Sequence, residues 1–405
     1  MTTSSTQLNN GWRSVKLGDV TEIQSGGTPR SSKSEYWDKG TVLWATLPDL
    51  KNKYLFDTER KITELGLKKS SAKILPINTV IYSSRATLGE ISITKKQVST
   101  NQGSKNFICN EDELYYEYLY YVLRSKRSEI NDHATGATYK EINKSTFANL
   151  QISLPRLETQ NSIAKTLSVY DDLIENNQKR IGVLDSVIEK LYTEHFIKDL
   201  SLKGWEPAKL EDIAMVHRGR SYSSEDIKDT DGIPFVNLKC IVRYGGFRYD
   251  GLKAYSGGYK DCHVVKNGDI VMAVTDMTQE RMIVARAARI PILDGGFGVI
   301  SMDLVKIEPK EDTDKTWLYC FLRYSGFGDN LKKSANGANV LHLNPARISE
   351  YKLNVPPIEI QKSFSDTVEN MLLLQEKLSV ENRNLQQARD FLIPQLVGGK
   401  LLINQ

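Results

Sequence analysis

The chain has 405 residues, 40% of them hydrophobic, four cysteines and a net charge of +4 at pH 7. That length suits two domains with connecting elements, no apolar run reaches the ~18 residues of a spanning helix, and the scattered Cys109, Cys240, Cys262 and Cys320 lack the Cys-x-x-Cys spacing of a zinc site or a disulfide framework. The polar stretch 1–10 lacks a basic-then-apolar signal pattern, so a cytoplasmic protein with reduced thiols is expected.

In chain order, Val42–Ala45, Thr79–Tyr82 and Glu90–Thr94 read as strands by β-branched content and alternation, and Leu114–Arg127 as an aromatic-rich helix. Between them lie polar loops: Gly26-Gly27-Thr28-Pro29-Arg30, Ser83-Ser84-Arg85-Ala86-Thr87 and Asn101-Gln102-Gly103-Ser104-Lys105. From about Glu158 to Lys198 the positions 163, 167, 170, 174, 177, 181, 184, 188, 191 and 195 form an apolar seam of alternating four and three, as in a coiled coil. A second run of strands follows (Pro234–Val236, Asp269–Val274, Met282–Ala285) and then a helix over Trp317–Tyr324. The last 48 residues repeat the seam at Phe364, Val368, Met371, Gln375, Leu378, Asn382, Leu385, Arg389, Leu392 and Leu396, ending at Gly398-Gly399. The large segments 1–155 and 202–356 carry net charges of +5 and +2, the short segments 156–201 and 357–405 carry −2 and −1.

The order of elements is a duplication. Gly136-Ala137-Thr138 recurs as Gly337-Ala338-Asn339, an offset of 201 that also carries Asn143 onto Asn344, Pro155 onto Pro356, Gln160 onto Gln361 and Leu191 onto Leu392. Nearer each start the offset is 193, taking Gly11-Trp12 onto Gly204-Trp205. The predicted fold class is α+β, with two mixed α/β domains and two long helices in a pseudo-two-fold molecule. Each helix has two readings, as a buried bundle helix or as half of an antiparallel coiled coil whose Asn177 and Asn382 fix register. The seam residues expected to be covered are Ile163, Leu167, Ile174, Ile181, Leu184, Ile188 and Leu191, with Phe364, Val368, Met371, Leu378, Leu385 and Leu392.

Catalytic motifs are scarce. Pro48-Asp49 with Glu59-Arg60-Lys61 faintly matches the carboxylate–lysine pattern of metal-dependent nucleases, and the five histidines form no cluster. The loops suit nucleic acid better: Arg matches guanine edges, Gln and Asn match adenine, and Ser and Thr are permissive. Candidate DNA-binding residues in the first half are Thr28, Arg30, Ser83, Ser84, Arg85, Thr87, Asn101, Gln102, Lys105, Thr138 and Lys140. In the second half they are Arg218, Arg220, Thr275, Thr278, Gln279, Arg281 and Asn339, with Thr275-Asp276-Met277 taken as the partner of Ser83-Ser84-Arg85. A solvated polar turn is the other reading of each loop.

The chain resembles the specificity subunits of type I restriction-modification systems. The resemblance rests on Gly11-Trp12 to Leu17-Gly18-Asp19-Val20, Ser25-Gly26-Gly27-Thr28-Pro29, Tyr36-Trp37, Ser83 to Gly89 and Asn101-Gln102-Gly103. It rests also on the repeated Pro155–Gln160 and Pro356–Gln361 steps and on Leu392 to Leu401. It implies target-recognition domains over 1–157 and 201–357, each reading half of a split DNA target, with spacer helices over 158–200 and 358–405. It also implies two methyltransferase subunits docked on the helices and restriction-translocase subunits joining later. S-adenosylmethionine, ATP and Mg²⁺ are then expected on those partners, and no cofactor on this chain. A stand-alone nuclease or methyltransferase, and a scaffold that never touches DNA, are the alternatives.

Overall fold

The computed structural model describes residues 11–136, 140–198, 205–228 and 230–401, together with the backbone of Gln7–Leu8. Thr138 therefore lies outside the described residues. Two compact units are present, one of residues 1–175 with 384–405 and one of residues 176–383. Each unit contains a mixed α/β domain and a stretch of both long helices, so the division falls within the helices and not at their ends.

In the first unit the sheet runs β1 (Thr21–Ser25), β4 (Ser104–Cys109), β2 (Val80–Ser83), β3 (Ile91–Thr94), all neighbours antiparallel, with Tyr54–Leu55 added parallel at the edge. All four residues of β2 and of β3 are buried, which explains their β-branched and aromatic content. The helix α1 (Tyr116–Ser125) buries Tyr118, Leu119, Tyr121 and Leu123 in the same core. The second unit repeats the order: β5 (Ala214–Arg218), β8 (Leu304–Pro309), β6 (Ile270–Ala273), β7 (Ala287–Arg289), then the helix α3 (Lys315–Tyr324). The register is also repeated, with Ser104 opposite Ser83 and Lys105 opposite Ser25 in one, Leu304 opposite Ala273 and Val305 opposite Arg218 in the other.

The predicted strand Met282–Ala285 is not one; β7 begins two residues later. The physical reason is Asp276, whose buried carboxylate accepts from the Ile283 and Val284 amides at 2.7 and 3.1 Å, while Ala285 takes a left-handed φ of 62°. Those amides cannot also serve a sheet ladder.

The long helices α2 (Leu157–Thr193) and α4 (Ile358–Val397) each start from a domain's closing strand. The repeated glutamine of the first turn explains itself here. Gln160 is fully buried, accepts from the Tyr115 amide at 2.8 Å and donates to the carbonyls of Glu113 and Pro155. Gln361 does the same with the Asp314 amide at 2.9 Å and the Pro356 carbonyl. Each supplies an acceptor to the first turn of α1 or α3, which lacks intrahelical partners.

The helices run antiparallel: Arg389 pairs with Asp171 at 2.5 Å in the first unit, and Gln375 donates to the Ile181 carbonyl at 3.0 Å in the second. Their seam does not hold the heptad spacing. Ile163, Leu167, Ile174, Ile188, Phe364, Val368 and Leu378 are buried, but Ile181, Leu184, Leu191, Met371, Leu385 and Leu392 are only half covered. Tyr192, Phe196, Leu372 and Ile393 take the buried places instead, and His195 is exposed. A straight helix advances 3.6 residues per turn, so a 3.5-residue stripe drifts about 20° per heptad. The two earlier readings also combine. Ile163 and Leu167 pack into the first domain's core with Ile393 and Leu396, and Ile188, Phe364 and Val368 into the second domain's core.

Candidate nucleic-acid interface

At one end of the first sheet, three loops distant in sequence meet. The loop after β2 is tied down by Ser83, whose hydroxyl donates to the Thr87 carbonyl and accepts from the Glu90 amide, both at 2.8 Å. Ala86 turns the chain with φ of 65°, leaving Arg85 and Thr87 exposed. Ser84 donates to the Gly103 carbonyl at 3.1 Å and joins this loop to the one before β4. There Asn101 caps its own turn, accepting from the Gly103 amide at 3.1 Å, and Gln102 projects outward to meet the Thr28 hydroxyl. Arg85, Ala86, Gln102 and Leu47 line a groove of about 360 Å³. Glu141, beside the exposed Lys140, sits 3.9 Å from Arg85 and 3.7 Å from Lys105. Arg30 is exposed on the neighbouring loop.

Four of the candidates are not surface groups. Ser83, Ser84, Lys105 and Thr275 are buried, so their sequence-stated role as direct readers gives way to holding the loops. Lys105 donates to Ser84 at 3.2 Å; burial pushes its pKa down, only partly opposed by Glu141. Sequence distance hid this, because burial depends on which strand a polar residue ends.

The second domain builds its loops on the same plan with a different length. Ile142 donates to the Ser84 carbonyl at 2.9 Å as Leu343 does to Val274 at 2.8 Å. Arg85 bridges Glu141 as Thr275 pairs with His342. The partner of Ser83-Ser84-Arg85 is therefore Ala273-Val274-Thr275, and the earlier match to Thr275-Asp276-Met277 was two residues out. The paired residues Ser83 and Glu90 enclose six residues, whereas Ala273 and Arg286 enclose twelve. The extra length is folded around Asp276, which also accepts from the Thr278 amide and hydroxyl at 2.9 Å. Burial raises the Asp276 pKa, but these donors outweigh it and the net shift is down.

Gln279 donates to the Ala338 carbonyl at 2.9 Å and Arg281 to the Ala335 carbonyl at 3.3 Å, bringing the long loop against the repeated Gly-Ala segment that exposes Asn339. Arg218 is exposed at the end of β5, and Arg220 is half-buried with its amide on the Ile300 carbonyl at 2.8 Å. Ser301-Met302-Asp303 is the structural mate of Asn101-Gln102-Gly103, since both precede the first residue of the equivalent strand. The sequence reading missed it; no residue type is shared, and the only signal was an offset of 200.

The weak nuclease pattern is structural. Asp49 accepts from the Thr46 amide and hydroxyl at 2.7 and 2.9 Å and from the Glu59 amide at 2.8 Å, and Lys61 faces Asp57 at 3.6 Å. Among the described residues no group of three or more His, Cys, Asp or Glu side chains is placed to hold a metal ion. Among them, too, no helix is long and apolar enough to cross a membrane.

The model of the type I restriction modification DNA specificity domain matches this chain twice, over residues 9–185 and 202–383. The chain belongs to that family. Like its relatives it is a specificity subunit, the non-catalytic component of a type I system. It is similar to the MjaIX specificity subunit of Methanocaldococcus jannaschii, at 29% identity over 97% of this chain and 94% of the relative. It is also similar to the EcoR124I/EcoR124II specificity subunit of Escherichia coli, at 28% identity over 39% of this chain and 40% of the relative. The crystal structure of the type I S subunit from M. genitalium shares the fold, with a TM-score of 0.57 at 17% identity over 99% of both chains.

Proposed function

We infer that this specificity subunit reads a bipartite DNA target, one half-site per domain, and directs methyltransferase and restriction subunits to it in the cytoplasm. The observation that carries the reading is the gathering of polar loops from distant segments at the same end of two equivalent sheets. In the first domain the contacting set is Thr28, Arg30, Arg85, Thr87, Gln102 and Lys140; in the second it is Arg218, Gln279, Arg281 and Asn339. The two sets differ in residue type and loop length, as two different half-sites require. S-adenosylmethionine, ATP and Mg²⁺ belong to the partner subunits.

The helices supply the partner surface. Val169 and Leu173 are 52% and 41% exposed on α2, and Val183 and Val187, two heptads on, are 63% and 39% exposed. Apolar side chains repeating at two heptad positions outside the buried seam suit a protein partner.

In a selection from random duplexes, the chain assembled with the methyltransferase of its own system enriches two short motifs at a fixed spacing. Affinity for the selected duplex falls log-linearly with salt, with a slope near −0.9 per neutralised phosphate. Enrichment of no sequence refutes the reading. Removing one heptad from the facing parts of both helices shortens the enriched spacing and leaves the two motifs unchanged; altered motifs count against a ruler role.

A further inference from the structure

The second domain carries two methionines on its reading loops where the first has polar side chains. Met302 occupies the place of Gln102 and is 54% exposed; Met277 is 72% exposed on the lengthened loop, two residues beyond the mate of Arg85. Exposure of this size on an unbranched apolar side chain is unfavourable in water, yet both backbones are held firmly. The Met302 amide donates to the Arg220 carbonyl at 2.8 Å. Asp303 next to it accepts from Thr275 at 3.1 Å, linking the Met302 loop to the start of the Met277 loop. Met277 itself lies between the fully buried Asp276 and Thr278, which Asp276 holds at 2.9 Å. Two apolar side chains are thus presented on preset backbones, Met302 against the Arg220 backbone and Met277 on the loop that carries Gln279 and Arg281.

We propose that Met277 and Met302 read the 5-methyl groups of thymines in the half-site of the second domain. The inference rests on the DNA reading above and adds to it the chemistry of one half-site. The 5-methyl of thymine is the one apolar group on the major-groove edges of the bases. A thioether side chain held at that edge gains by covering it and has nothing comparable to cover on guanine, cytosine or adenine. The first domain, with Thr28, Arg85 and Gln102 at its loop tips, is built instead for hydrogen-bonding edges.

The test uses the assembled chain and its selected duplex, each thymine replaced singly by deoxyuridine, which removes the methyl and keeps every hydrogen-bonding group. Replacement in one half-site weakens binding about fourfold per methyl, the value of burying one such group. In the double variant Met277→Gln/Met302→Gln that penalty disappears, while selection of the other half-site is unchanged. Two motifs selected with deoxyuridine tolerated at every position overturns the methyl reading and leaves DNA recognition standing. So does loss of binding in the double variant without any deoxyuridine effect, the result for methionines wedged between base steps. Selection of no sequence overturns both.

Discussion

Replacing Lys53 with Ala destabilises the first unit by about 3–5 kcal/mol, the cost of stranding a buried charge. The Lys53 ammonium donates to Glu117 at 3.1 Å, to the Tyr121 hydroxyl at 3.2 Å and to Ser168 of α2 at 2.6 Å. It also lies 4.8 Å from the Tyr54 ring centre and 5.1 Å from that of Tyr121. Lysine and glutamate side chains are 5% and 11% exposed, so water cannot replace the lost partner. Burial pushes the Glu117 pKa up; Lys53 and the Tyr54 and Ser168 hydroxyls outweigh it, and the net shift is down. A carboxylate with a depressed folded pKa lends stability above its unfolded pKa and loses it as pH falls through the folded one. Without Lys53 burial dominates, the Glu117 pKa rises, and the variant's deficit is largest near neutrality and shrinks toward acid. Hydrogen exchange of β2 and β3 in the full chain, followed from pH 7 to 5, measures this. A deficit independent of pH contradicts the account, as does a Lys53→Met/Glu117→Leu double variant no more stable than Lys53→Ala. Because Ser168 belongs to α2, the same network fastens the domain to its helix.

Substituting Gly26 or Gly219 with Ala weakens recognition by one domain at a time. A Cβ on Gly26 stands 1.9 Å from the Asn101 carbonyl oxygen, and one on Gly219 stands 2.0 Å from that of Ser301. Both are impossible approaches to backbone, so the loop carrying Gln102 or Met302 must move. Discrimination at the affected half-site drops by roughly ten- to a hundredfold, the equivalent of one mismatched base pair at about 1–3 kcal/mol. The other half-site is selected as before. Half-site-resolved selection on each variant checks this, with circular dichroism confirming the fold; equal loss at both half-sites refutes it.

These two glycines stand in Ser25-Gly26-Gly27-Thr28 and Arg218-Gly219-Arg220-Ser221, which look alike only in one residue. Their equivalence is legible as an offset of 193, but the reason for it is a carbonyl on another strand. The loops after β2 and β6 could not be matched from sequence. The six extra residues of the second are anchored by Asp276 bonds to amides at 278, 283 and 284, and such bonds leave no periodic trace. Met302 was invisible for a related reason: a place defined by strand register can exchange Gln for Met without disturbing the fold.

Of the named sheet strands, β2, β3 and β6 were readable in the chain and β1, β4, β5, β7 and β8 were not. The duplication, the existence and extent of the two helices and the family were readable as well. They follow from local propensities and from copying, and both write themselves along one dimension. Which polar side chains face outward, where the helix seam turns away from its heptads and which loops share a surface were settled by packing. Burial of Ser84 and Lys105, the shift from Leu191 to Tyr192 and the meeting of Thr28 with Gln102 each depend on residues far apart in the chain. Such contacts are chosen by the free energy of the whole core, and no window of sequence contains it.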